Sequence, residues 1–186
     1  GAGNLLGREQ SGDILAVGLD LYLRLLDQAI RELSDEAQEE QEVYLELEYS
    51  GFIPDSYIAE PMEKMEVYKL VASVSTQEEL DRVYKELQDR FGPIPDEVLS
   101  VLSIPEVRIM CRKLRISSLR EKNGVVTVEF SRLAQLDVEK ALRLIREGGE
   151  SVFLDPDRPT CIFIRTDAID LKEKSEFIYD KLSRLL

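Results

Sequence analysis

Ile116-Ser-Ser-Leu-Arg-Glu-Lys-Asn-Gly-Val-Val-Thr-Val-Glu-Phe130 reads as two short strands, Ile116–Glu121 and Val125–Phe130, joined by a tight turn. Asn123-Gly124 supplies the two residue types that adopt positive φ at least cost, which a two-residue hairpin turn requires. A hairpin pairs its strands antiparallel, so the sheet built on it is antiparallel or mixed. Further short strands at Ser151–Leu154 and Cys161–Arg165 flank the turn Asp155-Pro-Asp-Arg-Pro159. Upstream, Val43-Tyr-Leu-Glu-Leu-Glu-Tyr49 alternates, with Val43, Leu45 and Leu47 on one side, and Gly51, Pro54 and Asp55 end it.

Helices fill the intervals. One starts at about Pro61, a favoured first-turn residue, and the spacing predicts Met62, Met65, Tyr68 and Val71 inward, the methionines as core packing. The next carries a Thr76/Glu79 capping box and a buried stripe of Leu80, Val83, Tyr84, Leu87 and Phe91. Glu78–Arg82, Asp81–Lys85 and Glu86–Arg90 are acid-then-base pairs on its exposed sides. Gly92-Pro93 stops it; Pro95 opens another helix, which Pro105 breaks or restarts, with Val107, Met110, Cys111 and Leu114 buried. Asp137 caps a helix with Val138, Ala141, Leu142 and Ile145 inward, ended by Gly148-Gly149. Asp170 and Glu173 open the last, with Leu171, Ile178, Leu182 and Leu185 buried. Strand, three helices, hairpin, helix, two strands, helix is an α+β order: a mixed or antiparallel sheet of about five short strands covered by helices. Leu19, Tyr22, Leu23, Leu26, Ile30 and Leu33 add an amphipathic N-terminal helical appendage. The reading divides the chain into an appendage (1–34), an acidic linker (35–42) and the α+β domain (43–186).

Composition removes several functions. The 186 residues contain no His, which excludes Ser-His-Asp and Cys-His catalysis and imidazole metal sites. With 37 acids in the chain, a close Asp/Glu pair carries no catalytic signal. Net charge is −13, so direct nucleic-acid binding is not expected. Seven of the acids lie between Asp35 and Glu48, a stretch without a base, which reads as a solvated linker rather than a docking tail. Arg108, Arg112 and Arg115 form a basic stripe at i, i+4, i+7 that could meet DNA or an acidic domain, although a solvated helix face fits the acidic surroundings better. Cys111 and Cys161 lack metal or disulfide spacing and read as reduced core residues. No apolar run is long enough to cross a bilayer and no signal peptide is visible, so a cytoplasmic location without membrane contact is expected.

The chain opens abruptly on Gly1-Ala-Gly-Asn-Leu-Leu-Gly-Arg-Glu-Gln-Ser-Gly12, running into Asp20-Leu-Tyr-Leu-Arg-Leu-Leu26, and reads as a piece of something larger. Its glycine spacing is neither a dinucleotide fingerprint nor a Walker A loop. The full string resembles the second half of the translocation motif of bacterial transcription-repair coupling factors, a variant of which occurs in related branch-migrating helicases. In that family an Arg before the first Gly and the Gln of the Glu-Gln-Ser-Gly segment couple ATP turnover to movement along duplex DNA. The Gln is Gln10 here; the Arg would precede Gly1. Tyr84-Lys-Glu-Leu-Gln-Asp-Arg-Phe-Gly-Pro-Ile-Pro-Asp-Glu97 resembles the signature of the same family's C-terminal domain.

The resemblance implies a parent that is an ATP-driven DNA translocase, which displaces stalled RNA polymerase and recruits the excision-repair protein UvrA. ATP and magnesium would belong to motor domains outside this chain, and no cofactor is expected within it. The C-terminal domain would be a non-catalytic autoinhibitory clamp on the parent's N-terminal UvrB-like module, masking the UvrA-binding surface. Glu86, Asp89 and Arg90 match the charged positions of the family's signature that contact that module, and their spacing puts them on one helical patch. Read on spacing alone, Glu86–Arg90 is an ordinary intrahelical pair. Two other readings stay open: an acidic protein-interaction module of another DNA helicase, and a carboxylate-dependent hydrolase.

Overall fold

The computed structural model describes residues 42–48, 51–131 and 138–186. Gln10, the appendage helix Leu19–Leu33, most of the acidic linker and the Asp137 cap lie outside the described residues. The chain divides into two compact units, one holding the described residues through Leu47 with Cys111–Ala168 and Asp180–Leu186, the other Glu48–Met110 and Ile169–Tyr179.

The first unit is built on the hairpin. β2 (Ile116–Lys122) and β3 (Val125–Phe130) pair antiparallel, and Asn123 and Gly124 take φ of 52° and 73°, the turn their chemistry predicts. The sheet order is β1-β2-β3-β5-β4, with β1 (Tyr44–Glu46), β4 (Val152–Phe153) and β5 (Cys161–Arg165). β1 joins β2 in parallel and every other pairing is antiparallel, which makes the sheet mixed. Ser117 is an extra residue in β2, a bulge that lets Ile116 and Leu119 share a buried face despite their odd spacing. Its hydroxyl donates to the Glu129 carbonyl at 3.1 Å.

Val126, Val128, Ile162 and Ile164 are fully or almost fully buried on the central strands. α4 (Val138–Gly148) packs on β4 and buries Ala141, Leu144 and Ile145. Leu142, predicted inward, is half-buried, because Leu144 with Ala141 and Ile145 defines the stripe. Phe153 and Phe163 stack with centroids 5.1 Å apart, and the Arg165 and Arg158 guanidinium groups lie over these two rings. Both cysteines are buried, as expected of core residues, and burial pushes the Cys161 thiol up.

The second unit is helical. α1 (Pro61–Ser73), α2 (Gln77–Phe91) and the part of α3 (Asp96–Lys113) up to Met110 surround a core of Val67, Val71, Leu80, Leu87, Val98 and Leu102. The face predicted for α1 is corrected at Met62, Met65 and Tyr68, while Val71 is buried as predicted. Met62 is 71% and Met65 57% exposed, Tyr68 is exposed as well, and the buried residues are Val67 and Val71, with Val74 just beyond the helix. Tyr68 does its work at its hydroxyl, which accepts the Ile53 N–H at 2.8 Å.

The α2 cap forms between Thr76 and Glu79, as predicted, with the Glu79 carboxylate reaching back to Ser75. Thr76 Oγ1 accepts the Glu79 N–H at 3.2 Å, while Glu79 Oε2 accepts the Ser75 N–H at 2.7 Å. Those Ser75 bonds hold the Glu79 carboxyl below its usual range. At the other end of α2 the Tyr57 hydroxyl bonds the Leu87 and Gly92 carbonyls at 3.0 and 3.1 Å. Pro105 does not break α3, which is one helix of 18 residues; a buried proline removes one backbone donor without ending a helix whose flanking turns are packed. α3 stops at Lys113, and Arg115 follows in left-handed conformation with φ 57°. α5 (Lys174–Ser183) starts later than predicted, which leaves Leu171 at 43% exposure outside it.

Candidate interaction surface

The helical register of α2 sets the patch. Its core stripe is Leu80, Val83 and Leu87, so residues 86, 89 and 90 turn outward, and Glu86, Asp89 and Arg90 are all exposed. Arg90 Nη1 donates to Glu86 Oε1 at 3.2 Å, and Arg90 Nη2 lies 4.0 Å from Glu63 Oε1 on α1. The Arg90 guanidinium also sits 4.8 Å from the Phe91 ring centroid. One cation therefore joins two helices through two carboxylates, while Asp89 has no ion pair with a described residue. Exposed pairs of this kind contribute about 0.3–0.5 kcal/mol each, so the patch is not a stability device. Glu63 was missed from the sequence, because its meeting with Arg90 depends on how two helices pack.

The basic stripe shortens. Arg115 lies past the end of α3, so only Arg108 and Arg112 share a helical face. Among the described residues no group of three His, Cys, Asp or Glu side chains is placed to hold a metal ion, and no helix is long and apolar enough to cross a membrane.

The second unit also holds a half-open cleft of about 830 Å³. α2 contributes Tyr84, α3 contributes Leu99 and Val107, and Phe52 and Tyr179 complete the apolar lining. Asp96, Glu97, Glu106 and Glu176 supply its charge, against Lys172 alone. Burial raises the Glu106 carboxyl above its usual range, with the Glu176 carboxylate adding to the effect. The Tyr84 hydroxyl is pushed up to about 12 by burial, with Glu106 and Asp81 adding. A carboxyl whose pKa rises on folding binds its proton more tightly in the folded state. Ionised Glu106 therefore costs stability above that raised pKa, and the cost vanishes as pH falls through it. Glu106→Gln is expected to melt at a higher temperature than the unsubstituted chain at pH 7, with the gap closing through the carboxylate range; melting curves against pH check this.

The model of the TRCF domain, the domain of transcription-repair coupling factors, matches residues 47–141. The chain belongs to the transcription-repair coupling factor family. The transcription-repair coupling factor of Borreliella burgdorferi is 36% identical over 186 residues, covering all of this chain and 16% of that protein. The Escherichia coli factor is 33% identical over 186 residues and the Bacillus subtilis factor 35% over 158, covering 96% and 83% of this chain. This chain spans 16% of the length of the Borreliella burgdorferi and Escherichia coli factors and 13% of the Bacillus subtilis factor. A crystal structure of the C-terminal domain of a transcription-repair coupling factor matches with a TM-score of 0.65 over 80% of this chain and 94% of that one. At 20% identity that match speaks to the fold, and it agrees with the α+β order read from the sequence, a mixed or antiparallel sheet of about five short strands covered by helices; the sheet is mixed.

Proposed function

We propose that this part of a transcription-repair coupling factor is a non-catalytic regulatory clamp. It docks through Glu86, Asp89 and Arg90 on the UvrB-like module of the same protein and masks the surface that recruits UvrA. The parent is read as an ATP- and magnesium-dependent DNA translocase that displaces stalled RNA polymerase, with the coupling role of Gln10 belonging to that motor.

The observation that carries the reading is the exposed Glu86–Arg90–Glu63 array with Asp89 beside it. It is organised and accessible, and it contributes little to folding. Polar inter-domain contacts of this sort separate readily, as a switch requires. Opening is a population shift toward whichever state a partner binds more tightly.

The test uses the intact parent. Changing Glu86, Asp89 and Arg90 together to Ala is expected to strengthen UvrA binding about fivefold or more, the low end of ordinary allosteric coupling. Unchanged UvrA affinity would refute the masking role. The melting temperature should move little, because all three side chains are exposed.

A further inference from the structure

We propose that the cleft lined by Phe52, Tyr84, Leu99, Glu106 and Glu176 is a second docking site, taking a protein segment that carries an Arg or Lys beside an apolar side chain. Its charge is one-sided. Asp96, Glu97, Glu106 and Glu176 face it with Lys172 as the only base, and neither Glu106 nor Glu176 is ion-paired with a described residue. Glu106 is partly buried, Glu176 lines the same cleft, and a guanidinium or ammonium group seated there is stabilised by both carboxylates.

Beside them stand apolar side chains in contact with water. Phe52 is 51% and Leu99 39% exposed at the cleft, while Val107 beneath is fully buried. A cation next to an apolar anchor meets both features at once. A nucleic acid or anionic lipid surface would place phosphates against these carboxylates. A second copy of a chain with net charge −13 would bring mainly more acid.

The site is separate from the clamp patch. Tyr84 is half-buried on the cleft side of α2, and at about 100° per residue Glu86, Asp89 and Arg90 are turned roughly 120–160° away from it. Both surfaces can therefore be occupied together.

The probe is a phage-displayed library of short random peptides, selected on the whole chain. Enriched peptides are expected to pair Arg or Lys with a neighbouring apolar residue. Glu106→Gln with Glu176→Gln should weaken a synthetic enriched peptide about fivefold or more, and Leu99→Ala should weaken it as well. The Glu86, Asp89 and Arg90 alanine variant should bind it unchanged, which keeps this result distinguishable from failure of the clamp. Neutral or acidic winners, no enrichment, or equal binding by the cleft variants would overturn the proposal. So would concentration-dependent dimerisation abolished by Leu99→Ala, which would make a second copy the occupant.

Discussion

Leu102→Ala is expected to cost about 2–5 kcal/mol, among the largest effects of any single truncation in this chain. Leu102 is fully buried, within a cluster that draws Ile53 and Ile58 from a loop, Val67 and Val71 from α1, and Leu80 and Leu87 from α2. A residue ringed by separate elements leaves a hole that no single helix can shift to fill. Transfer and cavity terms therefore add. Chemical denaturation should show a lowered midpoint, and amides of α1 and α2 should exchange faster, since the lost contacts hold those helices together. Met62→Ala is the matched contrast. At 71% exposure it should change stability by no more than about 0.5 kcal/mol, whereas the inward face predicted from periodicity would make it a core truncation.

Gly51→Ala is expected to destabilise by about 1–3 kcal/mol, for the opposite reason. A Cβ at Gly51 would stand 2.6 Å from the Val101 backbone nitrogen and 2.8 Å from the Ser100 carbonyl carbon, so α3 itself would have to move. The Phe52 N–H donates to the Glu97 carbonyl at 3.2 Å, which ties the same segment to the start of α3 and blocks an easy retreat. Ser100 and Phe52 also line the acidic cleft, so the displacement should be felt there. A lowered melting temperature and weaker binding of a cleft-selected peptide are the expected readouts; wild-type values for both would show that the close approach is relieved at no cost.

Local chemistry made parts of this fold legible. Asn123-Gly124 could be read because a tight turn needs two positive φ values, and few residue pairs supply them. The α2 stripe could be read because Leu80, Val83 and Leu87 stand against an otherwise charged helix. α1 could not. It carries Met62, Met65 and Tyr68 on one side and Val67, Leu70 and Val71 on another, and periodicity cannot say which apolar set a neighbour will cover. Pro105 signals a helix end locally, yet its helix continues because packing outweighs one lost hydrogen bond. Arg115 in left-handed conformation gave no signal, since that geometry favours Gly or Asn.

The candidate surfaces divide in the same way. Glu86, Asp89 and Arg90 share one helix, so spacing alone placed them together. Glu63, which completes the array, comes from another helix. The cleft draws on Phe52, α2, α3 and the chain around Lys172–Tyr179, and no sequence window contains enough of it to be seen.

The most direct measurement is binding of this chain, supplied in trans, to the isolated UvrB-like module of its parent, with and without the Glu86, Asp89 and Arg90 alanine changes. Cutting the tether removes a high effective concentration, so a dissociation constant as weak as about 1 mM is compatible with a working clamp. The account predicts measurable binding that the triple change weakens about tenfold or more. Absence of binding at that concentration, or equal binding by the triple variant, would contradict it.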